Sequence, residues 1–182
     1  MANPTDIRRL ALLMLYRLDA RAADSTDQPG ESQNEDPAEI IAEVRETAEQ
    51  MEPEDWPFTE PTPKFRPGEC DRAAGLALRA HEHRDEADAE FDALAPDWPT
   101  SRRPAVDRAV LRLAHRELSE ASIPPAVAIN EAVELARAFS TEGSPAFING
   151  LLAKVTQRLA GRAATGEAAT GGTMTGRDAP RE

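Results

Sequence analysis

The chain has 182 residues, 40% hydrophobic and only 4% aromatic, with one cysteine and a formal net charge of −12. That length supports one core of ordinary size and hardly two. Cys70 stands alone, which excludes an intrachain disulfide, and no apolar run is long enough to span a bilayer.

Few aromatics and abundant alanine favour helices over sheets. The lone cysteine fits a reducing compartment, and a cytoplasmic location is expected. The charge is unevenly placed. Residues 24–60 hold 13 acidic residues and one basic residue, Arg45, so the rest of the chain sums to zero. The acidity belongs to one insert, and the remainder is free to carry local basic patches.

The first helix is expected from Pro4 or Thr5, with Asn3 as its cap. Ile7, Leu10, Ala11, Met14, Leu15 and Leu18 share one face at helical spacing. Arginines interrupt this stretch on both sides and no small-residue cleavage site follows, so it reads as an amphipathic helix and not as a leader. Residues 24–36 have no periodicity and are expected as a mobile loop. Pro37 opens a second helix with Ile40, Ile41 and Val44 inward. The insert 24–67 closes on five prolines between 52 and 67, which predict an extended linker.

A third, long helix is expected from about Glu69 to Leu94, facing inward with Ala73, Leu76, Ala77, Ala80, Ala87, Phe91 and Leu94. A fourth begins at Pro104 and runs to about Glu120 on Val106, Val110, Leu113 and Ala114. Pro124 and Pro125 start a fifth through Ile129, Ala132, Val133, Ala136 and Phe139. Ser144 is expected to cap a sixth, with Pro145 at its first position and Ile148, Leu151, Leu152, Val155 and Leu159 inward. The tail 161–182 holds five of the ten glycines and is expected to be disordered, so that the helical domain spans 4–160. The fold class is all-α, with about six to seven helices and no strand.

Nothing in the chain points to catalysis. There is no glycine-rich phosphate loop and no serine-nucleophile elbow. His81 and His83, two apart on a helix, point about 200° from one another and cannot converge on one metal ion. They read as two solvated histidines. No metal and no cofactor is expected. The carboxylates crowd into the insert, where nothing would raise a pKa for acid–base work.

Binding features are more informative. Tyr16 lies nearly opposite the core stripe of the first helix, flanked by Leu12 and Leu13, with Arg9 alongside. Spacing leaves two readings open, a partner surface or a helix buried on both sides. Arg8 and Arg9 form a short basic pair. Arg108, Arg112 and Arg116 make an i, i+4 column, for which intramolecular pairing with Glu120, Glu131 or Glu134 is the favoured use. Phe147 sits about 100° from the centre of its helix's core stripe, where it either stacks a base or seals the core edge.

The segments RPAVDRAVLRLAHREL and IPPAVAINEAVELARAFSTEGSPAFINGLLAKV, with the opening RRLALLMLYRL, resemble the NusB family of bacterial transcription antitermination factors. The resemblance covers roughly residues 5–20 and 70–159. It implies two small helical bundles packed into one domain. It also implies an adaptor that binds boxA RNA of ribosomal RNA leader transcripts together with NusE, a small-subunit ribosomal protein, within the RNA polymerase antitermination complex. By match, Arg8, Arg9, Ser144 and Phe147 fall on the RNA surface, and Leu12, Leu13, Tyr16 and Asp107 fall where the family meets NusE. Gly143, Pro145 and Ala146 stand where the family more often carries acidic, polar or basic residues. The alternative is therefore a NusB-like protein-binding module with weak or no RNA affinity.

Overall fold

The computed structural model describes residues 2–27, 36–50, 52 and 64–170. Among the described residues seven α-helices follow in chain order: α1 (Pro4–Asp27), α2 (Pro37–Gln50), α3 (Pro67–Glu82), α4 (Arg84–Leu94), α5 (Ala105–Ser119), α6 (Pro125–Phe139) and α7 (Ser144–Thr170), with a 3-10 turn at Thr100–Arg102. No strand occurs among the described residues.

The fold is two packed groups of helices that share α5. Helix α1 packs on α2, α3 and α5, while α5 also lies against α4, α6 and α7. Burial follows the helical period. Leu10, Ala11, Met14, Leu15 and Leu18 of α1 are buried, with Ile40, Ile41 and Val44 of α2 and Ile148, Leu151, Leu152 and Val155 of α7. The start of α1 is held by a reciprocal box. Asn3 Oδ1 accepts the Asp6 amide at 2.8 Å, and the Asn3 amide donates to Asp6 Oδ2 at 3.0 Å.

Several expectations are corrected. Helix α1 continues to Asp27, so 24–27 are not loop; residues 28–35 of that expected loop lie outside the described residues, as do 53–63 of the expected linker. The long third helix is two helices. His83, at φ −100° and ψ 16°, breaks it, and the Arg84 guanidinium donates to the His81 carbonyl at 3.0 Å beside the break. On α6 the buried stripe runs through Ala128, Ala132, Leu135 and Ala136, leaving Val133 half-buried. Helix α7 runs on to Thr170, past the glycines at 161 and 166; residues 171–182 of the tail lie outside the described residues.

Helix α5 departs most from a one-sided stripe. Every residue from Ala109 to His115 is buried, because α5 is covered by both helix groups. Its charged residues must therefore find partners inside the protein. Just beyond the C-cap of α5, Ala121 has a φ of 48°, the left-handed region, and is the only non-glycine residue there among the described residues.

Candidate nucleic-acid and partner interface

The expected site residues fall into three places. The first is the N-terminal end of α1, where Arg8 is only 8% exposed. Its Nε and Nη2 donate to Glu117 Oε1 on α5 at 3.0 and 2.8 Å, and its Nη1 donates to the Pro4 carbonyl at 3.2 Å. Glu131 on α6 lies 3.7 Å from Nη1 and accepts the Thr5 hydroxyl at 2.9 Å. Arg8 thus closes a three-helix clamp, and its fork is spent on carboxylates of its own chain. Arg9 is half-buried and lies 3.5 Å from Asp6, one turn back on α1.

The second place is the turn from α6 into α7. Ser144 is buried, and its hydroxyl donates to Asp107 Oδ2 at 2.8 Å. It does not cap its own helix, contrary to expectation. Thr141 Oγ1 lies 2.8 Å from Ser144 Oγ, and Ser140 Oγ donates to the other Asp107 oxygen. Asp107, in the first turn of α5, is itself buried and holds this turn with both oxygens. The structure therefore brings an expected RNA residue, Ser144, into direct contact with an expected partner residue, Asp107. Phe147 is half-buried one turn further along α7, with the Arg103 guanidinium 5.8 Å from its ring.

The third place is the outer face of α1. Tyr16 is 41% exposed and Leu13 half-buried, but Leu12 is buried in the core. The apolar patch is thus narrower than the sequence spacing indicated. The three places are not one cluster: Asp107 and Glu117 are ten residues apart on α5, so the arginine clamp and the Asp107 network stand roughly 15 Å apart along its axis.

The arginine column of α5 is used internally. Arg116 pairs with Glu120 at 2.7 Å, and Arg108 donates to the Arg103 carbonyl at 3.0 Å. Arg112 reaches Asp19 on α1 and Asp88 on α4, neither of them an expected partner. Burial works against its charge, but the hydrogen bonds to Asp88 and Asp19 outweigh this and hold its pKa above the ordinary arginine value. His81 is not a solvated residue: its ring lies 3.7 Å from Asp19, and it is mostly buried, whereas His83 is half-buried beside Glu86.

Sequence reasoning missed two features. His115 on α5 and Glu90 on α4 form a buried pair at 3.1 Å, edge-on to Phe91. Arg103 has a fully buried side chain that lies between Phe91 and Phe147, donating to Thr100 Oγ1 at 2.7 Å. Burial pushes the Arg103 pKa down, and Asp92 at 3.3 Å opposes this. The signal for Arg103 was the Pro-bounded DWPTSRRP segment, where a tryptophan and two arginines are packed into one short connection. Burial likewise pushes the Cys70 thiol up to about 11, which keeps it from acting as a thiolate near neutral pH. Among the described residues no group of three histidine, cysteine or acidic side chains could hold a metal ion, and no helix is long and apolar enough to cross a membrane.

Comparison with known proteins agrees with this architecture. A family model described as the NusB family matches residues 5–157. The transcription antitermination protein NusB of Symbiobacterium thermophilum is 34% identical over 162 residues, 88% of this chain and 94% of that one. Among solved structures, T. maritima NusB superposes with a TM-score of 0.63 at 26% identity, covering 86% of this chain and 93% of that one. A chain from a crystal structure of the antitermination factors NusB and NusE in complex with double-stranded RNA superposes at 0.61 with 23% identity, covering 85% of this chain and 96% of that one, a likeness of fold. With the two-bundle helical fold, the matched span of α1 to α7 and full-length relatives in agreement, the chain belongs to the NusB family.

Proposed function

We propose that this protein is a non-catalytic antitermination adaptor. It joins boxA-type RNA of ribosomal RNA leader transcripts to NusE and so takes part in the RNA polymerase antitermination complex. The observation that carries this reading is Tyr16. An aromatic residue in a chain so poor in aromatics stands 41% exposed on α1, while Leu12 and Leu15 beside it are buried. An exposed tyrosine rimmed by polar side chains is the kind of anchor that protein interfaces bury. The neighbour solved with NusE and RNA makes NusE the natural occupant.

In this reading Leu13 and Tyr16 meet NusE, with Leu12 supporting them from the core. Arg9 and Phe147 face RNA. Arg8, Ser144 and Asp107 act as positioning residues, since their polar atoms are spent inside the chain. Asp107 on α5 holds the turn that presents Phe147, and α1 packs on α5, which gives a physical route by which NusE on α1 steadies the RNA surface.

A second reading is a protein-binding module with little RNA affinity. The burial of Arg8 favours it, because it removes one of the two N-terminal cations from the phosphate-binding inventory. Calorimetry of NusE binding tests the partner arm common to both. Tyr16→Asp should leave the helical spectrum unchanged and abolish NusE binding, because it would bury a carboxylate in an apolar contact. Unchanged affinity would remove Tyr16 from the interface and the main support of the proposal.

A further inference from the structure

We infer that the loop joining α4 to α5, together with the adjoining face of α7, is a stacking platform for single-stranded RNA centred on Trp98. The inference rests on the RNA-binding reading above and extends it from Phe147 to Trp98, Arg102 and Lys154, which that reading does not use.

Trp98 is 42% exposed, and the Arg102 guanidinium lies 5.0 Å from its ring centroid. A tryptophan left at the surface of a chain with two tryptophans is unusual, since its burial would contribute more than that of any other side chain. The loop that holds it is firmly built. The Thr100 amide and hydroxyl both donate to Asp92 Oδ1 at 2.7 Å, the Trp98 amide donates to the Ala95 carbonyl at 3.1 Å, and Arg103 fastens Thr100 and the Phe91 carbonyl from beneath. Such a loop presents Trp98 in a fixed position, so little ordering is lost when a base stacks on it.

The surface continues onto α7. Phe147, Lys154 and Arg158 share one helical face, and Lys154 Nζ donates to the Leu94 carbonyl at 3.4 Å, where the loop begins. Between Phe147 and Lys154 the face is open, for a side chain at Gly150 would meet nothing within 4 Å. Arg103 joins the two parts, lying between Phe91 below and Phe147 above.

The charge selects the ligand. Arg102, Lys154 and Arg158 are exposed cations. Of the nearby carboxylates, Asp92 is occupied with Thr100 and Arg103, and Glu90 with His115 and, at 3.8 Å, with Arg158, whose charge it partly offsets. Asp97 is the loop's other acidic residue. Flat aromatic rings set among cations suit a strand of unstacked bases, whose phosphates the cations neutralise and whose faces the rings accept. The overall charge of −12 would otherwise repel RNA, so any RNA surface must be concentrated in patches of this kind.

The test uses the full chain saturated with NusE and a labelled boxA RNA extended by about ten nucleotides on each side, a length sufficient to cover one such surface. Trp98→Ala should weaken binding about five- to a hundred-fold, with Trp98→Phe retaining most of the affinity. Lys154→Gln should flatten the salt dependence by about one unit. With Trp56→Phe leaving Trp98 as sole tryptophan, its fluorescence should change in step with RNA saturation. If the parent binds RNA and Trp98→Ala binds equally, the platform is wrong while the adaptor reading stands. If the parent binds no RNA, both fall. If Trp98→Ala loses NusE and keeps RNA, the face is a protein surface and the inference is overturned.

Discussion

Arg8 offers the sharpest energetic prediction. Arg8 and Glu117 are 8% and 7% exposed, meet in a forked contact, and tie α1 to α5 with Glu131 of α6 close by. Arg8→Met removes one partner and leaves Glu117 charged and buried. Such a break costs about 3–5 kcal/mol, far more than an exposed pair is worth. For a chain of this size each kcal/mol moves Tm by roughly 2–4 °C, so the expected fall is roughly 6–20 °C. Arg8→Met with Glu117→Leu replaces both charges by apolar side chains of similar bulk. That double variant should return to within about 1 kcal/mol of the parent. Chemical denaturation followed by circular dichroism reads all three proteins. A cost below about 1 kcal/mol for Arg8→Met, or a double variant no better than the single, would refute the clamp and return Arg8 to the surface.

The remaining predictions separate binding from stability. Arg9→Ala should flatten the salt dependence of RNA binding by about one unit, while Phe147→Ala should cost roughly 1–3 kcal/mol of RNA affinity at an unchanged slope; an anisotropy titration at several salt concentrations reads both. Ala121→Gly should stabilise the fold by about 1–2 kcal/mol, because it relieves a left-handed residue at the end of α5, and an unchanged denaturation midpoint would refute this. Glu69 accepts the Arg66 amide at 2.9 Å and the Ala2 amide at 3.1 Å, and the Arg66 hydrogen bond chiefly holds its pKa below the ordinary carboxylate value. With a lowered folded pKa, its contribution is present above the unfolded value and is lost as pH falls through the folded one. Glu69→Gln should therefore be less stable than the parent near neutral pH, and the difference should vanish in acid.

Much of this fold is legible in the sequence because the apolar positions of α1, α2 and α7 recur at helical spacing, and because Pro37, Pro125 and Pro145 mark helix starts. Helix α5 is not legible in that way. Its period predicts one buried face, but a helix lying between two groups is buried on all sides, and no local pattern tells which of its charges will be enclosed. Asp107, Arg112, His115 and Glu117 are all buried there, each with a partner distant in sequence. The break at His83 is also silent, since no proline or glycine marks it. For the candidate site, the off-stripe positions of Tyr16 and Phe147 emerge from spacing, but spacing does not tell whether Tyr16 is exposed or packed on a second side; its 41% exposure does. The use of Arg8 does not emerge from spacing, because Glu117 lies 109 residues away and only the packing of α1 on α5 brings the two together. Ser144 reads as a helix cap for the same reason: its hydrogen bond to Asp107 depends on how α5 meets the α6–α7 turn.

The central claim is that one surface serves RNA and another serves NusE, coupled through α5 and the turn held by Asp107. It is tested most directly by the dissociation constant for boxA RNA, measured with and without saturating NusE at one fixed salt concentration. The account predicts weak binding by the chain alone and binding tighter by about five- to a hundred-fold with NusE, with the reciprocal gain in NusE affinity when RNA is present. Equal affinity with and without NusE, or no RNA binding in either case, would contradict it.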